Sequence, residues 1–229
     1  MTKMIIIITV FSASIFSALL ADDNSIWAGP TRDNIYTETN LADSWPEDGP
    51  ELLWQFDSLG IGYSAVAVNS SGVYVTGMKS DRTGHLYAFN HDGSIKWTIP
   101  YGSEWHRGFP GTRSTPVIYE GLMYFESAQG VVFCIKPENG EIVWSKDLMN
   151  DYGGVNIQYG LSESILVDDD RVICTPGGSE HNLMALNRLT GEVIWTNSAK
   201  GEPPTYLTPS LIERNGSKFL VTMTSSSIM

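Results

Sequence analysis

Basic residues are few in this chain. Fourteen lysines and arginines stand against 26 aspartates and glutamates, a net charge of −12. No local cluster of cations breaks that balance, so no nucleic-acid partner is expected, because binding phosphate needs basic patches. Cysteine is scarcer still. Cys134 and Cys174 form no closely spaced pair of the kind that holds a metal, and no C-x-x-C-H haem attachment sequence exists. They fall in strand-like runs of different repeats, where small buried thiols are expected and a disulfide in an oxidising compartment is the alternative. The common catalytic signatures are missing too: no G-x-S-x-G elbow, no HExxH helix, no phosphate-binding glycine loop.

One apolar run is present, at the start. Lys3 precedes MIIIITVFSASIFSALL at residues 4 to 20, then Ala21 and an acidic continuation. A short positive region, an apolar run below the span of a membrane helix and small residues at its end describe a signal peptide over residues 1–21. An uncleaved anchor is the alternative, since Leu19 is a mediocre residue three places before the cut. The mature protein is expected to be periplasmic or secreted and not an integral membrane protein.

The rest of the chain is dominated by repetition. LYAFNHDGSIKW (86 to 97), VFCIKPENGEIVW (132 to 144) and LMALNRLTGEVIW (183 to 195) each run from alternating apolar residues through a turn at Gly93, Gly140 or Gly191 to Trp97, Trp144 or Trp195. A partial copy, ELLW, ends in Trp54. The four tryptophans fall 43, 47 and 51 residues apart, within the period range of propeller blades and other arrays. The apolar residues alternate with period two and are rich in Val, Ile, Tyr and Trp, so the units are strands. Asp92-Gly93 and Asn139-Gly140 are tight hairpin turns.

Between these hairpins lies a second strand-turn-strand unit, seen at residues 63 to 77, 113 to 127 and 162 to 176 and more loosely at 206 to 223. One full period therefore holds about four strands, as a propeller blade does. Asp168, Asp169 and Asp170 form an acidic triplet. It sits where the other copies place an ordinary turn, so a solvated hairpin is expected there rather than a calcium loop.

The hairpin resembles the pyrroloquinoline-quinone (PQQ) repeat, A-x-D-x-x-T-G-x-x-x-W, of quinoprotein dehydrogenases and of many propellers that bind no quinone. The match is Ala185, Asn187, Thr190, Gly191 and Trp195 in the third copy, and Cys134, Lys136, Gly140 and Trp144 in the second. In the first copy Ala88, Asn90, Gly93 and Trp97 match across a turn one residue shorter, and no copy keeps the aspartate. The opening WAGPTRDNIYTETNLADSWPEDGPELLWQF, with RSTP and TPGG further on, is similar to secreted PQQ-like propeller proteins of bacteria. The resemblance implies an all-β propeller over residues 51–229, preceded by an extended segment at 22–50. Lipoprotein members of this group carry a cysteine at the mature end; none lies near the expected cut here.

Without residues 1–21, 208 remain, room for four to five blades at roughly 45 residues each. Family rings usually close with six to eight, and this chain stops at VTMTSSSIM inside a blade. A fragment with an open ring is expected, with exposed blade faces that make it marginal or prone to aggregate unless a partner supplies the remainder.

Function is expected at the inner strands, whose starts converge on a propeller's axis. Aligning the copies places Tyr63, Arg113, Ser162 and Tyr206 at one position and Ser64, Ser114, Glu163 and Leu207 at the next. Arg113 and Glu163 are the charged members. An ion pair between neighbouring inner strands is favoured over ligand contact. The loop at 101 to 113 adds Trp105, His106 and Arg107, able either to recognise an anionic or sugar-like group or to pack within the loop. The corresponding loop of the next unit brings Tyr159.

Two functions follow. The first is a non-catalytic binding or scaffold module that takes a protein, small-molecule or carbohydrate partner on its inner-strand face, with no metal and no cofactor. The second, implied by the resemblance, is a dehydrogenase that oxidises alcohols or sugars with PQQ and calcium, the remainder of its site lying in the missing blades. That enzyme would require a calcium site of Glu, Asn and Asp, a catalytic aspartate and, in many members, two adjacent cysteines; only Glu163 stands where a calcium-ligating glutamate would, and no adjacent cysteines exist. Trp54, Trp97, Trp144 and Trp195, with Gly93, Gly140 and Gly191, are expected to dock blade on blade.

Overall fold

The computed structural model describes residues 26–229 except 30, 37 and 38; the signal peptide expected at 1–21 lies outside the described residues. Strands β1 (Ala67–Asn69), β2 (Gly72–Met78), β3 (Thr83–Phe89) and β4 (Ile95–Ser103) form one antiparallel sheet in chain order. β5 (Val117–Tyr119), β6 (Leu122–Glu126), β7 (Val131–Ile135) and β8 (Ile142–Asp147) form a second. β9 (Leu166–Asp168), β10 (Arg171–Cys174), β11 (Leu183–Asn187) and β12 (Val193–Asn197) form a third, and β13 (Ser210–Arg214) with β14 (Ser217–Val221) gives the inner half of a fourth. Each blade thus runs from an inner strand outward by tight antiparallel turns.

Alternation along each strand decides which neighbour a side chain meets. In β6, Met123 and Phe125 pack against Tyr74 and Leu86 of the first sheet, while Tyr124 between them points into the core shared with Val172 and Met184 of the third. The two cores are continuous stacks of apolar faces, with Phe125 and Phe133 parallel at 4.9 Å between centroids. Trp54, Phe56 and Leu59, in the segment before β1, cover the outer face of the first sheet. Leu211 and Leu220 of the half-blade cover the third, beside Trp195.

The repeated turn docks each sheet to the next. Trp54 lies over Gly93, Trp97 over Gly140 and Trp144 over Gly191, so that a Cβ on any of these glycines would stand 2.6, 2.9 or 2.9 Å from an indole atom. Only glycine fits, and each also holds a positive φ, of 84°, 78° and 70°. The indole Nε1 of each tryptophan donates to a carbonyl of the same turn: His91 at 3.0 Å, Pro137 at 3.0 Å and Arg188 at 2.9 Å. The first acceptor is two residues before its glycine and the others three, matching the shorter first turn. Trp97, Trp144 and Trp195 face Ala88, Cys134 and Ala185 across the outer strand pair, which is why the repeat needs a small residue at that position. Asn187 stands where the family has aspartate, and its Oδ1 accepts from the Leu189 and Thr190 N–H groups at 3.0 and 3.1 Å.

Both cysteines are free and buried. The turn at Asp168 to Asp170 is a hairpin end whose Asp168 and Asp169 meet the Lys218 ammonium at 2.7 and 3.1 Å. Among the described residues no helix is long and apolar enough to cross a membrane.

Candidate binding site on the inner-strand face

Short side-chain bonds tie the inner strands of successive units. The Ala65 N–H donates to Thr115 Oγ1 at 2.9 Å, Ser164 Oγ to the Thr115 carbonyl at 3.1 Å, and the Ser164 N–H to Thr208 Oγ1 at 2.9 Å. Ala65, Thr115, Ser164 and Thr208 therefore occupy one position in four units. Two residues earlier stand Tyr63, Arg113, Ser162 and Tyr206, and all four line one cavity of about 850 Å³.

The cavity's other walls come from two places. Phe109 and Tyr159, from the loops entering the second and third units, meet edge to face at 5.5 Å, and Tyr159 stacks on Tyr206 at 6.2 Å. The segment before the propeller supplies Trp27, Ala28, Arg32 and Asn34. Arg32 anchors this segment by donating from Nη1 to the Ser164 carbonyl at 3.0 Å and from Nη2 to the Ile165 carbonyl at 2.5 Å. Burial lowers its pKa to about 10, opposed by the Glu163 charge. Arg113 lies over the Tyr63 ring at 5.5 Å and donates to the carbonyls of Gly111 and Phe109 at 2.6 and 2.5 Å.

Arg113 and Glu163 do not form the expected ion pair. Glu163 is 3% exposed and turns into its own blade, where Oε1 accepts from the Thr175 N–H at 2.9 Å and the Thr175 hydroxyl at 2.7 Å. It takes the place that Ser64 and Ser114 take in the preceding blades, each bonded to the second strand of its own sheet, at Thr76 and Glu126. Burial pushes the Glu163 carboxyl up to about 7, against the pull of Thr175 and of Arg32.

Trp105, His106 and Arg107 gather elsewhere. They line a second cavity of about 400 Å³ with Gln129, Asn156, Ile157 and Gln158. Trp105 is buried within its loop, its Nε1 donating to the Gly108 carbonyl at 3.2 Å, and Arg107 sits over its ring at 5.6 Å. His106 Nδ1 lies 3.2 Å from the Glu104 carbonyl. Of the six candidates, the 850 Å³ cavity brings together Arg113 and Tyr159 only.

Two buried carboxylates escaped the reading of the sequence. Glu104 accepts from the Tyr101 hydroxyl at 2.8 Å and from the N–H groups of Trp105 and Ala128 at 3.0 and 3.1 Å. Glu126, at the end of β6, meets no hydrogen-bond donor with either oxygen among the described residues. Burial, reinforced by Glu163 and Glu104, holds its carboxyl well above the ordinary range. A signal was available: Glu126 sits where the neighbouring blades carry Thr76 and Thr175.

Sheets of this order, each clamped to the next by tryptophan over glycine around converging inner strands, define an incomplete β-propeller of the PQQ-repeat type. The family model described as outer membrane protein assembly factor BamB matches residues 82–228, and the chain belongs to that family. Over 138 residues it is 30% identical to the outer membrane protein assembly factor BamB of Kangiella koreensis, covering 58% of this chain and 31% of the relative. The crystal structure of BamB from Moraxella catarrhalis superposes with a TM-score of 0.51 at 16% identity, over 76% of this chain and 47% of that one. A europium-containing methanol dehydrogenase gives a TM-score of 0.48 at 17% identity, over 67% of this chain and 27% of that one. The chain thus spans about a third of its curated relative and about half of the BamB structure.

Proposed function

We propose that this chain is a non-catalytic binding and scaffold module of the periplasm, serving the assembly of outer membrane proteins through a protein partner held at its inner-strand face. The family supports this reading, since its description and its relatives carry that role in their names. The observation that carries it against the dehydrogenase is the make-up of the inner-face cavity. Among the described residues its lining holds hydroxyls, aromatic rings, Asn34 and two arginines but no aspartate or glutamate. Calcium takes its ligands from carboxylate and carbonyl oxygens. The one glutamate placed to serve, Glu163, spends Oε1 on Thr175 inside the blade. These residues do not fit a calcium-bound quinone.

The test is to add PQQ and calcium to the full-length protein and follow quinone absorbance through gel filtration, together with dye-linked oxidation of alcohols and sugars. The quinone is expected to elute free, without turnover. Quinone retained with turnover would end the scaffold reading.

A further inference from the structure

We infer that the inner-face cavity receives an extended peptide segment that carries carboxylate and aromatic side chains on one face. The inference rests on the scaffold reading and names the chemistry of its partner. The protein as a whole carries a net charge of −12, yet among the described residues the cavity wall contains Arg32 and Arg113 and no acidic one. Both guanidiniums are held by neutral backbone carbonyls, which fix their direction, while the carboxylates that act on them, Glu163 on Arg32 and Glu104 on Arg113, are buried outside the cavity lining. A cationic pocket in an acidic protein is a place of charge complementarity for an anion and repels cationic competitors.

The apolar part of the site selects among anions. Tyr63, Phe109 and Tyr206 expose 60, 65 and 48% of their surface at its rim, and Tyr159 stands between the last two. Phe109, Tyr159 and Tyr206 touch one another and form a single patch, whereas the Tyr63 ring carries the Arg113 guanidinium. A ligand that covers both that patch and the Tyr63 ring must present apolar groups with an anionic group between them for Arg113. An extended polypeptide does this when its aromatic and carboxylate side chains stand two residues apart, because residues i and i+2 share one face. Uncharged sugars would stack on the rings but leave both guanidiniums without a counter-charge.

The experiment uses the full-length protein and a fluorescently labelled peptide of the repeat Tyr-Ser-Asp-Ser, whose rings and carboxylates share one face of the extended chain, followed by anisotropy. The comparison ligands are the same peptide with Lys for Asp and an anionic oligosaccharide, polygalacturonate. The acidic peptide is expected to bind at least about tenfold tighter than the basic one, and less tightly as salt is raised. Arg113→Gln should cost about tenfold in affinity, with Arg113→Lys recovering part of it, while the melting transition of both variants matches the parent. Equal binding of the two peptides, an unchanged affinity in Arg113→Gln, or preference for the oligosaccharide would each overturn the inference. The quinone assay separates the two levels: no peptide binding and no quinone retention removes only this inference, whereas retained quinone with turnover removes the reading beneath it.

Discussion

Trp144 covers Gly191 from the neighbouring sheet, its indole Nε1 sharing the Arg188 carbonyl with the Tyr124 hydroxyl at 2.9 and 3.1 Å. Two side chains of the second blade thus close on one peptide group of the third. The arrangement repeats one blade earlier, where Trp97 and Tyr74 both donate to the Pro137 carbonyl. Truncating Trp144 to alanine opens a cavity between two sheets and leaves that carbonyl to the Tyr124 hydroxyl alone, at a cost of about 3 to 5 kcal/mol. Chemical denaturation should show the loss; an unchanged midpoint would mean that the blades are not docked this way.

The glycine side of the same contact makes an independent prediction. Gly191→Ala places a methyl group 2.9 Å from the Trp144 ring at a φ of 70°. Strain and overpacking act together, and destabilisation of roughly 2 to 4 kcal/mol is expected. Gly216→Ala serves as the control, since its positive φ comes with nothing within 4 Å of the added carbon. It should cost only the conformational strain, about 1 kcal/mol. If the two variants melt alike, the tryptophan contact is not what constrains Gly191.

The blade itself was legible because its determinants are local. Period-two alternation, a turn glycine and a tryptophan at constant distance describe a hairpin without reference to the rest of the chain. The meeting of Arg113 with Glu163 was misjudged although the information lay in the alignment. The two stand at adjacent strand positions, and successive side chains of an extended strand point to opposite sides. Arg113 shares the direction of Tyr63 and Ser162, into the cavity, whereas Glu163 shares that of Ser114, into the blade. Arg32 could not be found at all, because its partners, the carbonyls of Ser164 and Ile165, lie more than 130 residues away.

Arg32 is the fastening of the segment before the propeller. Arg32→Ala removes two charge-assisted bonds to the third blade's inner strand, each worth about 1.5 to 3 kcal/mol when buried. Most of the effect should be local, releasing Trp27, Ala28 and Asn34 from the cavity wall while the sheets persist. Limited proteolysis should then cut the segment faster with little change in the far-ultraviolet circular dichroism. Unchanged cleavage would show that Trp27 and its neighbours hold the segment without the arginine.

The buried carboxylates make stability depend on pH in a stated direction. Glu126 and Glu163 have folded-state pKa values raised above the ordinary carboxylate range, Glu163 to about 7. A raised value favours the folded state only while the unfolded carboxyl is also protonated. Stability should therefore be highest below about pH 4.5 with respect to these groups and fall as pH rises toward 7 and beyond. Folding at neutral pH makes Glu126 take up a proton that the unfolded chain has released. Glu126→Gln needs no such proton and should raise stability at pH 7, with the gain vanishing near pH 4. Urea titrations at the two pH values test this. A gain of equal size at both would assign the effect to packing, and a loss at pH 7 would mean that the Glu126 carboxylate is ionised and held by a partner.

Cys134 stands at the small-residue position of the repeat, paired with Trp144 as Ala88 is with Trp97 and Ala185 with Trp195. Since two of the three blades carry alanine there, Cys134→Ala should cost no more than about 1 kcal/mol despite complete burial. Cys134→Val, which adds a branch beneath the indole, should cost more, about 1 to 3 kcal/mol. The thiol itself should be inert in the folded protein, because burial raises its pKa to about 11 and hides it from reagents. Titration with a thiol reagent should find neither Cys134 nor Cys174 before denaturation and both after it. Rapid labelling of Cys134 in native buffer would show that the outer strands of the second blade open, and that the tryptophan does not clamp them.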